Sequence, residues 1–229
     1  MAKINIVGVG PGSSDYVTPK ARKTVQAANV VIGAERSLSL FQGDIKGETL
    51  LLTAKNVNEV LKYAVESAKT GKTVVLLSTG DPGFSGLLRP VLNSTLGKEV
   101  EVNVIPGISS IQVCAARLDM CWDETRLFSF HEGTSPQKKI ELAEAVKEGK
   151  DVMLLPDPKA FPPSEIARFL IKSGVGKETP VIVCENLTLS NEKIVSTTME
   201  GMLKLNFDPL CVMVIKARHK QKSQKKVKE

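Results

Sequence analysis

A chain of 229 residues, 42% of them hydrophobic and 24% charged, is long enough to bury a sizeable core in one large domain or two modest ones. No run approaches the roughly 18 uninterrupted apolar residues of a membrane span. The start, Met1 to Val7, enters a strand pattern without an apolar signal core, so a cytoplasmic chain with no membrane partner is expected. The net charge of +6 is concentrated at one end: Lys216–Glu229 carries seven Lys or Arg against one Glu, leaving the rest near neutral. Without aromatics to stack on bases, residues 217–229 are expected to be a solvated basic tail and not a nucleic-acid site.

In chain order, apolar runs rich in Val, Ile and Leu alternate with segments of helical period. Strands are predicted at Ile4–Val9, Val30–Gly33, Thr49–Thr53, Thr73–Ser78 and Val100–Ile105. Between them helices are predicted at Pro19–Ala28, Val57–Thr70 and Phe84–Ser94, with Thr18-Pro19 as a cap followed by proline and Gly71 as a stop. This alternation implies a mainly parallel sheet covered on both faces, in a first domain of residues 1–118. A second domain, 119–216, has predicted strands at Leu127–His131, Asp151–Leu155, Val181–Glu185, Lys193–Ser196 and Leu210–Lys216. Its predicted helices are Gln137–Glu148, Pro163–Ser173 and Thr198–Leu203, and a hairpin between the third and fourth strands makes its sheet mixed. The fold class is therefore α/β, two tandem domains, with the active site expected in a cleft between them.

The cysteines (Cys114, Cys121, Cys184 and Cys211) form no C-x-x-C pair, and with two histidines they assemble no metal cluster by spacing, so no protein-bound metal is expected. Three glycine-bearing loops at strand ends carry the chemistry. The first, Gly8-Val9-Gly10-Pro11-Gly12, begins like a dinucleotide fingerprint, but the third glycine position is Ser13 and Pro11 has no N–H for a pyrophosphate. Thr70-Gly71-Lys72-Thr73 imitates the end of a phosphate loop, yet Glu66 stands where its first glycine belongs and the segment ends a helix. The second loop, Ser78-Thr79-Gly80-Asp81-Pro82-Gly83-Phe84-Ser85-Gly86, places an aspartate either to receive ribose or amino hydrogens or to cap the next helix. The third, Ile105-Pro106-Gly107-Ile108-Ser109-Ser110, offers N–H groups and hydroxyls at a helix start, or simply a cap.

In order and wording these loops resemble the tetrapyrrole (corrin/porphyrin) methylase superfamily. The resemblance continues through Phe128-Ser129-Phe130-His131 and Pro180-Val181-Ile182-Val183-Cys184-Glu185-Asn186-Leu187, and so spans the chain apart from the tail. The segment Gly33-Ala34-Glu35-Arg36-Ser37-Leu38 is similar to the Gly-x-x-Arg-x-Leu stretch of the cobalt-precorrin-7 C(5)-methyltransferases. Ser-Phe-His is similar to that branch's Ser-Leu-His-Gly, with Glu132 interposed before Gly133.

The resemblance implies S-adenosylmethionine (SAM) as methyl donor, held by Pro11, Gly80, Asp81, Phe84, Ser109, Ser110 and His131, with Leu187 near the adenine. It implies a homodimer acting on a small-molecule corrin precursor, methylated at C(5). Another ring carbon, or the modified histidine that diphthine synthase methylates, is the alternative. Such a precursor carries many carboxylates, which makes Arg36, Arg89, Arg117 and Arg126 the candidate substrate ligands. No general base is nominated, because methyl transfer from a sulfonium expels a neutral leaving group and depends chiefly on positioning.

Overall fold

The computed structural model describes residues 2–94, 99–131 and 133–216, so the basic tail at 217–229 and Glu132 lie outside the described residues. The chain divides into two compact units. The first runs to Val113 and takes in Leu187–Ser190; the second takes Cys114–Asn186 and the chain from Asn191 on. The change of unit falls inside a helix, five residues before the Leu118 boundary read from sequence.

Five parallel strands make the first sheet: β1 (Lys3–Gly8), β2 (Val30–Gly33), β3 (Glu48–Leu51), β4 (Val74–Ser78) and β5 (Glu101–Ile105), in the order β3-β2-β4-β1-β5. Their side chains alternate between two apolar layers, as a pleat requires. Ile4, Ile6, Val30, Ile32, Val74 and Leu76 face α3 (Val57–Lys69) and Val91 of α4 (Leu88–Asn93). Val7, Val31, Val75 and Leu77 pack on the opposite face with Ala21 and Val25 of α1 (Pro19–Gln26) and with Phe41.

Local chemistry sets the helix ends. Thr18 accepts the Ala21 N–H at 3.1 Å with Pro19 at the first helical position. The helix α3 buries Val60, Leu61, Ala64, Val65 and Ala68 at helical spacing and stops before Gly71, whose φ is +87°.

The second sheet is mixed, in the order β6-β7-β10-β8-β9. Here β6 (Arg126–Ser129) runs parallel to β7 (Val152–Leu155), while β8 (Pro180–Glu185), β9 (Lys193–Thr198) and β10 (Cys211–Ile215) pair antiparallel, the first two as the expected hairpin. One face carries a core of Phe130, Val152, Leu154, Val181, Val183, Met213 and Ile215 against Leu142 of α6 (Pro136–Lys147) and Ile166 and Leu170 of α7 (Pro163–Lys172). Phe161 meets Phe130 edge-on with ring centroids 5.0 Å apart. On the other face Cys184 lies with its Sγ 3.5 Å from that of Cys114, on α5 (Ser110–Arg117), and neither thiol reaches solvent. Cys211 is buried too, and burial pushes its thiol up to about 12.

Four elements depart from the sequence expectation, one of them a 3-10 turn at Ser14–Tyr16 where none was expected. The helix expected from Phe84 begins at Leu88, because Ser85 adopts φ +58°, which a right-handed helix cannot contain. The helix expected over Thr198–Leu203 is a short 3-10 turn, Gly201–Lys204, because β9 runs on through Thr197 and Thr198, which pair with Val181 and Pro180. A five-residue helix, α2 (Glu35–Ser39), was not anticipated: its N-cap Ala34 makes no side-chain capping bond, and one turn is too short to show a period.

Candidate active site

In the first sheet β1 and β4 are neighbours, yet α1 packs on one face and α4 on the other. Adjacent parallel strands whose connections leave toward opposite faces open a crevice at their carboxyl ends, the usual ligand position in such sheets. The three glycine loops meet at that edge. Gly10 and Gly80 pair as an isolated antiparallel bridge, the Gly80 N–H donating to the Gly10 carbonyl at 2.8 Å. Gly107 is pressed between them: a Cβ added there would stand 2.3 Å from the Gly80 oxygen and 2.6 Å from the Gly8 carbonyl carbon. Only glycine allows three backbones to approach so closely.

Asp81 locks the junction from the side. Its Oδ1 accepts the Gly83 N–H at 2.8 Å and its Oδ2 accepts the Gly107 N–H at 3.1 Å, so one half-buried carboxylate binds its own turn to the β5 loop. It does not cap a helix, since α4 starts only at Leu88. Each oxygen keeps a second lone pair for a ligand hydroxyl or ammonium. Phe84, half-buried, donates its N–H to the Asp81 carbonyl at 3.3 Å. Ser109 acts as the cap of α5: its hydroxyl accepts the Ile111 N–H at 3.3 Å while its own N–H donates to Gln112 Oε1 at 2.8 Å, a capping box with the hydroxyl on the second helical amide instead of the third. Ser110 follows, half-buried, as the first helical residue.

The amides of the first loop are largely taken up inside the protein. The Val9 N–H donates to Ser78 O at 3.0 Å, the Gly10 N–H to Gly80 O at 3.4 Å, and the Ser13 N–H to Thr188 Oγ1 at 3.0 Å. Pro11, buried, has none to give. A phosphate-binding loop needs these donors free, so the loop does not present the donors of a pyrophosphate site. Thr188 was not singled out in the sequence: it follows Leu187 after β8 and lies 175 positions from its partner, so no local spacing connects them.

Pro11, Gly80, Asp81, Phe84, Ser109, Ser110 and Leu187 all belong to the first unit. His131 belongs to the second, exposed just beyond the end of β6, where its N–H donates to Ser129 Oγ at 3.3 Å. Nearby, Asp157 is held below the usual carboxylate range, first by the N–H groups of Ala160 and Lys159, and to a lesser degree by attraction to His131.

The four arginines differ. Arg36 stands on α2 at the carboxyl end of β2, beside Ser37, whose hydroxyl lies 3.3 Å from that of Thr79 in the second loop. Its guanidinium is half-buried, burial lowers its pKa, and among the described residues no carboxylate pairs with it. Arg89 is exposed in the first turn of α4 and already engaged. Arg117 is held by Glu192, its Nε 2.7 Å from Oε1. Arg126 opens β6, at the other end of that strand from His131. Among the described residues no group of three or more His, Cys, Asp or Glu could hold a metal ion, and no helix is long and apolar enough to cross a membrane.

The profile of the tetrapyrrole (corrin/porphyrin) methylases matches residues 3–202. The chain belongs to that family. A probable cobalt-precorrin-7 C(5)-methyltransferase of Methanocaldococcus jannaschii is 37% identical over 211 residues, covering 92% of this chain and 96% of the relative. An S-adenosyl-L-methionine-dependent uroporphyrinogen III methyltransferase of Methanosarcina barkeri is 27% identical, covering 89% and 85%. Among solved structures, a precorrin-6Y methylase from Archaeoglobus fulgidus superposes with a TM-score of 0.74 at 25% identity, covering 95% of this tetrapyrrole methylase and 99% of that chain.

Proposed function

We propose that this tetrapyrrole methylase transfers a methyl group from SAM to C(5) of cobalt-precorrin-7 or precorrin-7, a step in corrin ring construction. The observation that carries the reading is the junction of three loops, closed around Gly107 and fastened by Asp81, in which the Val9, Gly10 and Ser13 N–H groups of the first loop are already bonded within the protein. A donor with a sulfonium, a ribose and an amino acid group needs acceptors more than phosphate-binding amides, and Asp81 retains lone pairs to supply them. The name and 37% identity of the M. jannaschii relative support the ring carbon.

In this reading Pro11, Gly80, Asp81, Phe84, Ser109, Ser110 and His131 hold the donor, with Leu187 against the adenine. The donor, when bound, supplies an electrophilic methyl group whose sulfur leaves as a neutral thioether, so no side chain has to protonate it. Glycine loops fixed in one arrangement hold the reactants at attack distance, and this positioning is the main catalytic contribution expected of the chain. Arg36, half-buried and with no carboxylate partner among the described residues, attracts a carboxylate of the ring. The enzyme works in the cytoplasm as a homodimer, a part of the reading that rests on the family resemblance.

The deciding experiment incubates the full chain with isotopically labelled SAM and candidate precorrins, followed by mass spectrometry and NMR location of the new methyl. Label at C(5) is expected. Label at another carbon would retain the enzyme class and overturn the assigned position, and no labelled ring with any precorrin would overturn the function.

A further inference from the structure

The segment after β8 carries an unusual backbone. Asn186 has φ +51° and Thr188 has φ +72°. Asparagine tolerates the left-handed region; a β-branched threonine does so rarely, because its Cβ substituents crowd the backbone there. Such a conformation persists only where surrounding contacts enforce it. Two such contacts lie in the first glycine loop. Thr188 Oγ1 accepts the Ser13 N–H at 3.0 Å. Gly12 is packed so tightly that an added Cβ would stand 2.9 Å from Thr188 Oγ1 and 2.8 Å from Leu189 Cδ2. Leu187–Ser190 accordingly groups with the first unit although it leaves a strand of the second.

We infer that Thr188 is a positioning residue of the donor site: its hydroxyl fixes the turn Pro11-Gly12-Ser13 and keeps the Ser13 N–H from any ligand. The inference rests on the reading of the glycine loops as the donor site. The left-handed backbone at Thr188 brings the hydroxyl to Ser13, and Gly12 supplies the space for the contact. Thr188 touches no reacting atom in this role. It sets where the loop stands before the donor arrives.

Thr188→Val keeps the β-branched shape and removes the acceptor, while Thr188→Ser keeps the acceptor. In the full chain without ligand, Thr188→Val is expected to speed hydrogen exchange at the Ser13 amide by roughly five- to tenfold, the worth of one net hydrogen bond. Calorimetry with S-adenosylhomocysteine should show a similar loss of affinity, again roughly five- to tenfold. Thr188→Ser should stay within about twofold of wild type in both readouts, because it retains the bond. Gly12→Ala, which pushes on the same contact from the other side, should reproduce the Thr188→Val pattern.

Wild-type exchange and affinity in Thr188→Val would overturn the inference, as would Thr188→Ser failing to rescue either. Failure of the wild-type chain to bind S-adenosylhomocysteine would instead strike the functional reading and the donor-site role with it. The exchange measurement would still report whether the hydroxyl holds the turn.

Discussion

Asp81 carries a charge already bonded within the protein, and Arg36 one for which no carboxylate partner is found among the described residues. Asp81 is held by two backbone N–H groups, so its position is fixed before any ligand binds. Arg36 is half-buried with no carboxylate partner among the described residues, an arrangement that costs stability unless a ligand supplies the counter-charge. Arg36→Ala should therefore weaken binding of the polycarboxylate ring by about tenfold or more, the worth of one charge-assisted hydrogen bond. S-adenosylhomocysteine affinity should stay within about twofold, since that ligand presents a different set of groups. Titrating both ligands by calorimetry separates the two; equal losses would mean that Arg36 supports the loops and does not read the ring. At this scale the sequence was informative where a residue acts through its own motif. Ser109 was legible as a cap because a cap announces itself within a few positions, whereas Asp81, offered as a cap or a ligand acceptor, turned out to cap no helix. Whether an arginine is paired was not legible, because Arg117 finds Glu192 only across 75 positions of chain. Thr188 was invisible for the same reason.

Among the elements, the strands and the long periodic helices were legible in the sequence, and the short helical elements were not. The central strands β2 and β4 are buried on both faces and stand out as Val-, Ile- and Leu-rich runs. The helix α2 and the delayed start of α4 depend on single dihedrals and on one turn of backbone, which periodicity does not resolve. The capping box that opens α5 shows an element serving both fold and site. Gln112 accepts the Ser109 N–H while Ser109 accepts the Ile111 N–H, and the same cap fixes the loop containing Gly107. Ser109→Ala is expected to cost about 1 kcal/mol of folding stability, the usual worth of an N-cap. Gln112→Ala should cost less, because its side chain is exposed and serves only the Ser109 N–H. Urea unfolding measures both, and the capping-box description fails if Ser109→Ala unfolds at the wild-type midpoint.

Across the whole molecule the charge is uneven in a way that bears on encounter and not on folding. Beyond Lys216, whose N–H donates to Pro180 O at 3.0 Å and whose ammonium pairs with Asp151, the sequence continues with Arg218, Lys220, Lys222, Lys225, Lys226 and Lys228 against Glu229 alone. A cationic segment raises the local concentration of a polyanion and speeds its association, an effect that fades as salt shortens the Debye length to about 8 Å near physiological ionic strength. A corrin precursor bearing many carboxylates would be subject to this attraction; S-adenosylhomocysteine, with a single carboxylate balanced by an ammonium, would be nearly indifferent to it. Truncation after Lys216 should therefore slow association of the ring several-fold at low salt, with the difference shrinking as salt is added. Affinity for S-adenosylhomocysteine and the thermal midpoint should be unchanged, because the Lys216 contacts with Pro180 and Asp151 are retained. Stopped-flow association at two ionic strengths, beside calorimetry with the small ligand, tests the division directly. An equal loss for both ligands would place the tail within the binding machinery, and a salt-independent loss for the ring alone would point to specific contacts in place of steering.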